Sequence, residues 1–159
     1  VAEKKTVDLL TAVRKIEARN ICLAVIGSAD DPKTKEALDI AAKEDSRIRY
    51  LGWKSGDDLL EYLCAADIYA QPGTQSATMQ NAACCGCAEV LYPYSSYKVL
   101  LGDAVLYAEN VEQLTQALNS LVTDPQLLQK KKEQLFQVAC EKLDYKKQAE
   151  RILQAGETT

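Results

Sequence analysis

The chain has 159 residues, 47% of them apolar and 26% charged, with a net charge of −4 and an isoelectric point near 5.0. That length and balance fit one globular domain with a single core, and the acidic excess supplies no global field to draw in nucleic acid or an anionic membrane surface. No segment approaches the ~20 continuous apolar residues of a membrane-spanning helix, and the opening residues show no charged region followed by an apolar stretch, so the chain reads as cytosolic.

Hydrophobic spacing divides the chain into alternating elements. "TVDLLTAVRKIEA" places Val7, Leu10, Val13 and Ile16 at helical spacing, with basic residues on the far side. The apolar run "ICLAVIG" predicts a central strand over 21–26, buried on both faces and ended by Gly27. Asp31-Pro32 then signals the start of a helix carrying Ala37, Leu38, Ala41 and Ala42 on one face. "RIRYLG" predicts a strand, "SGDDLLEYLCAA" a helix capped at Ser55, and "DIYAQP" a strand ended by Pro72. The second half continues with a helix over "SATMQNAACC" and strands over "AEVLYP" and "AVLYA". Three helices close it: "VEQLTQALNSLV" introduced by Asn110, a long one around "PQLLQKKKEQLFQVACEKL", and "DYKKQAERILQA". This order implies an α/β fold: a Rossmann-like, doubly wound, mostly parallel sheet with helices on both faces. Ligands of such sheets sit at the carboxyl ends of the strands, so the turns after Gly27, Gly52 and Pro72 should line a site. A doubly wound domain normally opens on a strand, whereas this chain opens on a helix, so a first strand is expected to lie outside it.

Six cysteines invite two other readings, disulfides or a metal centre. A domain of this size and apolar content needs no staples, and Cys84 and Cys85 are adjacent, which favours reduced thiols. The chain has no histidine, and neighbouring cysteines on a helix point about 100° apart, so no metal site is expected. Cysteine behaves in such places as a small apolar residue.

The motifs "KKTVDLLTA", "LAVIG", "IRYLG", "LLEYLCAAD", "QPG" and "ACCG" stand in that order, followed by "VLLGDAVLYAENVEQLTQALNSLVTDP" and "LDYKKQAERIL". From Lys4 to about Leu153 the chain thereby resembles the C-terminal, nucleotide-sugar-binding half of a GT-B glycosyltransferase of the group 1 (family 4) type. The resemblance implies that residues 1–159 form one donor-binding domain, with an acceptor-binding N-terminal domain outside it. It implies a sugar transferred from a nucleotide-sugar, UDP- or GDP-linked, to a glycan or lipid-linked acceptor, with no cofactor and no metal. It leans to retention of configuration. Partners follow from this: a nucleotide-sugar, the acceptor through the other domain, no nucleic acid, and peripheral association of the full-length protein with the inner face of a membrane.

The resemblance places the donor against Gly27, Ser28, Trp53 and Lys54 after the first two strands, and against Gly73, Thr74, Gln75 and Ser76 after the third. That last loop precedes a helix whose N–H groups and dipole suit a diphosphate, and the hydroxyls of Thr74 and Ser76 either cap the helix or meet a phosphate. Lys5 matches the family's lysine that stabilises the diphosphate leaving group, against the alternative of a solvated lysine at a helix start. Trp53 is either a platform near the nucleobase or a core residue. In relatives the "ACCG" segment ends the helix behind the donor loop, where small residues let helix and strand approach closely. The family's Glu-x7-Glu pair is missing: the ribose-binding position falls on Asn81 or Gln80, and the other near Gly73. An amide still bonds a ribose diol but without charge assistance. That gap favours one alternative, a non-catalytic nucleotide-sugar-binding module; a second, a sugar-nucleotide epimerase of the same fold, is weighed down by the lack of histidine and of acidic residues in the loops.

Overall fold

The computed structural model describes residues 5–157, and Lys4 lies outside them. Five parallel strands alternate with helices. They are β1 (Leu23–Ile26), β2 (Ile48–Gly52), β3 (Ile68–Gln71), β4 (Ala88–Leu91) and β5 (Leu106–Tyr107). The helices are α1 (Thr6–Lys15), α2 (Pro32–Glu44), α3 (Gly56–Ala65), α4 (Thr78–Cys84), α5 (Ser95–Leu101), α6 (Val111–Thr123), α7 (Pro125–Lys142) and α8 (Tyr145–Glu157). Among the described residues no helix is long and apolar enough to cross a membrane.

The strands form two parallel ladders, β1–β2 and β3–β4–β5. Side chains of β4 alternate between the two faces of its ladder. Ala88 and Val90 enter one core with Leu9, Leu10, Ala12 and Val13 of α1, Leu38 of α2 and Leu114, Leu118 and Leu121 of α6. Leu91 enters a second core with Met79 of α4, Tyr97 and Leu101 of α5, and Leu135 and Ala139 of α7. Helices therefore cover both faces, as the alternation of elements requires. β1 departs from its expected complete burial, because Ala24 is exposed and its neighbours are half-buried. Its ladder has a partner on one edge alone, so the strand has less cover than a central strand receives.

Two caps follow the sequence. Asp31 accepts from the Thr34 N–H at 2.9 Å and the Thr34 hydroxyl at 2.8 Å, and Asn110 accepts from the Gln113 N–H at 2.9 Å. Ser55 does not cap α3: its side chain makes no cap bond, and the turn is made by Gly56 in the left-handed region, at φ 52°. α1 stops at Lys15, three residues before the predicted end, where Arg47 takes over. Its guanidinium donates to the carbonyls of Ile16 (2.6 Å), Ala18 (2.8 Å) and Val13 (3.3 Å) and to the Asp45 carboxylate (2.7 Å). One buried cation thus satisfies the open end of the helix. Val7, predicted for the apolar face of α1, is exposed, and Leu9 and Ala12 take up that burial. α5 has no counterpart in the sequence reading, since its seven residues are too short to show a period; Tyr97 and Leu101, four apart, are its buried pair.

Candidate functional site

All strands run parallel within each ladder, so in each ladder the loops at their carboxyl ends lie at one edge. At the first ladder the Gly27 N–H donates to the Gly52 carbonyl at 3.0 Å, and the Tyr50 hydroxyl donates to the Gly27 carbonyl at 3.1 Å. Gly27 and Gly52 take φ of 141° and 69°, which side chains rarely tolerate, so both turns depend on glycine. Ser28 is exposed and its hydroxyl donates to Asp30 at 3.1 Å. Trp53 follows Gly52 and is 71% exposed, which removes the core reading of this residue. Lys54 beside it is half-buried.

At the second ladder the loop after β3 is pinned from α5. The Ser76 N–H donates to the Tyr97 hydroxyl at 3.0 Å, and the Gln75 amide donates to the Ser96 hydroxyl. The Ser76 hydroxyl accepts from the Thr78 N–H at 3.2 Å, a local turn just before the N-cap residue Ala77. These bonds correct the expected phosphate cradle. The helix begins at Thr78 instead of Ser76 and is seven residues long, and the Ser76 N–H is occupied. Pro72 and Gly73 are buried, Thr74 half-buried and Gln75 exposed. Gln80 and Asn81 are exposed on the face of α4 opposite buried Met79, Ala82 and Ala83.

Lys5 joins this edge from far away in sequence. It sits at the N-cap of α1 in the left-handed region, φ 52°, and its ammonium donates to the Glu109 carbonyl at 3.0 Å and lies 4.5 Å from the centre of the Tyr92 ring. Tyr92 and Glu109 stand just past the carboxyl ends of β4 and β5. Lys5 is therefore a placed cation and not a freely solvated one, and it keeps two further N–H donors. From Tyr92 the contacts run on: Tyr92 to Tyr94 with ring centres 4.9 Å apart, Tyr94 to Tyr97 edge-on at 5.8 Å, and Tyr97 to Ser76. A chain of three tyrosines links Lys5 to the loop after β3. The sequence reading missed all three; their spacing in "YPYSSY" was the available signal.

Behind this edge, Glu89 of β4 is 1% exposed and neither carboxyl oxygen has a hydrogen-bond partner. Burial pushes its carboxyl up to about 9, so it is neutral at pH 7. Gly86 also differs from expectation: an added Cβ there would meet nothing within 4 Å, and its φ of 81° is what requires glycine, so the turn into β4 is a matter of conformation and not of close approach. Of the cysteines beside it, Cys87 is buried against Leu63 and Ala82, as a small apolar residue is, but Cys84 is exposed and does not pack in the core. No group of three or more Cys, His, Asp or Glu side chains among the described residues is arranged to hold a metal.

A family model described as "Glycosyl transferases group 1" matches residues 1–155. The chain belongs to that family. Comparison with curated proteins gave no match. Among solved structures, the whole chain superposes on HepE of Anabaena, solved in complex with UDP, with a TM-score of 0.84 at 15% identity, covering 46% of that chain. Sucrose-phosphate synthase from Thermosynechococcus elongatus gives 0.81 at 14% identity over 99% of this chain and 43% of that one. The C-terminal domain of a group 1 glycosyl transferase (LpcC) from Francisella tularensis gives 0.78 at 16% identity, over 91% of this chain and 82% of that domain. The glycosyltransferase chain thus has the α/β fold of the C-terminal half of GT-B enzymes, and it spans less than half the length of HepE and the synthase.

Proposed function

We propose that this chain is the donor-binding domain of a glycosyltransferase that moves a sugar from a UDP- or GDP-linked donor to a glycan or lipid-linked acceptor, without a metal. The acceptor and any general base belong to a second domain, and the chain alone binds nucleotide and transfers nothing. We place the whole protein in the cytoplasm, at the inner face of a membrane when its acceptor is a lipid.

The observation that carries this reading is the position of Lys5, held by Tyr92 and Glu109 at the carboxyl edge of the sheet. A diphosphate leaving group needs positive charge where its own charge develops, and a preplaced ammonium supplies it without reorganisation. Gly27, Ser28, Trp53 and Lys54 would then meet the nucleoside, and Gly73, Thr74 and Gln75 the phosphates, with Ser76 holding the loop to Tyr97. The UDP and UDP-glucose complexes of HepE support a nucleotide-sugar as the ligand class. A second reading, a module that binds nucleotide-sugar without catalysis, draws on the exposed amides Gln80 and Asn81 standing where the family carries a carboxylate.

The test is an amide-shift titration of the 159-residue chain with UDP, GDP and ADP in turn. Shifts are expected at the turns after Gly27, Gly52 and Pro72 and at Lys5, and Lys5→Ala should weaken binding about tenfold, as loss of one charge-assisted bond does. A depression of about 640 Å³ at the opposite edge is lined by Arg14, Arg19 and Arg47 together with Glu17, Glu44 and Asp45. Shifts confined to that depression would reject the proposed site.

A further inference from the structure

We infer that Cys64 and Cys85 form a redox-modifiable pair that closes to a disulfide by exchange with a small disulfide such as oxidised glutathione. The Cys64 thiol, one residue before the end of α3, donates to the Cys85 sulfur, at the C-cap of α4, across 3.3 Å. A disulfide needs about 2.05 Å between sulfurs, and both residues sit at helix ends, where a small side-chain rotation closes the rest. The helices are already docked, since Leu63 of α3, Ala82 of α4 and Cys87 form a buried cluster against which Cys85 itself packs.

Exposure sets the order of events. Cys64 is exposed and Cys85 half-buried, so a bulky oxidant reaches Cys64 first. The Cys64 thiolate attacks one sulfur of the glutathione disulfide, forming a mixed disulfide and releasing one glutathione thiolate. The Cys85 thiolate then attacks the Cys64 sulfur, forming the internal bond and releasing the second glutathione. In sum, two protein thiols lose two electrons and two protons to the disulfide, which becomes two thiols. Burial raises the Cys85 thiol and leaves it less accessible than Cys64, so the closing step is the slow one. The product ties α3 to α4, the helix that follows the loop held by Tyr97.

The experiment incubates the folded chain with mixtures of oxidised and reduced glutathione, traps free thiols by alkylation, and maps peptides by mass spectrometry. The expected product is a Cys64–Cys85 linked peptide, with a melting midpoint about 5–10 °C above the reduced form that dithiothreitol reverses. Cys64→Ser, at an exposed position, should fold as the parent does and lose both the linked peptide and the shift. Three results would overturn the inference: glutathione that stays on Cys64 while Cys85 remains alkylatable, no reaction at either residue, or preferential linkage of the exposed Cys84 to the exposed Cys140.

Discussion

Glu89→Met should stabilise the domain, by an amount that depends on pH. Methionine fills nearly the same volume without a charge, on the face of β4 whose core holds Met79, Leu91, Tyr97 and Leu101. In the unfolded chain the carboxyl ionises at its ordinary 4.5, whereas in the fold it holds its proton until about 9. Between those values the folded state binds one proton more than the unfolded state, so stability falls as pH rises, by about 1.4 kcal/mol per unit. The contribution is fully present below the unfolded value and is lost progressively up to the folded one. At pH 7 the accumulated loss is on the order of 3 kcal/mol, against under about 1 at pH 5. A pH-independent part adds to this, because even the neutral carboxyl is buried without a partner, which costs about 1–3 kcal/mol.

Urea unfolding of wild type, Glu89→Met and Glu89→Gln from pH 5 to 8.5 separates the two parts. The difference between wild type and either variant should widen with pH, since both variants lack the titration; Gln should keep much of the pH-independent cost and Met should not. Parallel stability curves for wild type and Met across that range would refute the argument, because they would mean that the carboxyl finds a partner or water in solution.

The acid side offers the opposite sign. The Arg47 guanidinium holds the Asp45 carboxyl down at about 2 from 3.8, so that pair's contribution is present above pH 4 and lost as pH falls through 2, on the order of 2 kcal/mol. In Arg47→Met, acid titration by circular dichroism should show that step missing and a higher acid midpoint. For the donor site, Gln80→Glu or Asn81→Glu should tighten nucleotide binding by up to about 1–2 kcal/mol in calorimetry if the ribose lies there. Both positions are exposed, so melting should hold in each; unchanged affinity in both variants would favour the non-catalytic module.

The strands and most helices were legible because each is long enough, or apolar enough, to show its period, and the caps at Asp31 and Asn110 because the chemistry is local, within three residues. What stayed hidden was set by partners elsewhere. α4 begins late because Ser76 is engaged by Tyr97, 21 residues on. α1 ends early because Arg47 collects carbonyls about thirty residues back. Glu89 reads in "AEVLYP" as one polar residue in a strand, which on a sheet with an open face would point to solvent. Only the helices packed over that face make it an orphan.

The same distinction governs the proposed donor site. Its glycines announce themselves, because a strand ending in glycine is a local pattern, yet the residue that gives the edge its charge is 104 positions from the carbonyl that holds it. Lys5, Tyr92, Tyr94, Tyr97 and Ser76 form one run of contacts, so a change at any link should reach the others. The loop after β3 and Lys5, proposed for the donor phosphates and the leaving group, are thereby joined by contacts. If the loop shifts to admit a diphosphate and Tyr97 gives up its bond to Ser76, the tilted and edge-on contacts of Tyr97, Tyr94 and Tyr92 are the route by which Lys5 would feel it. Such coupling is a property of packed aromatic contacts with few alternative arrangements.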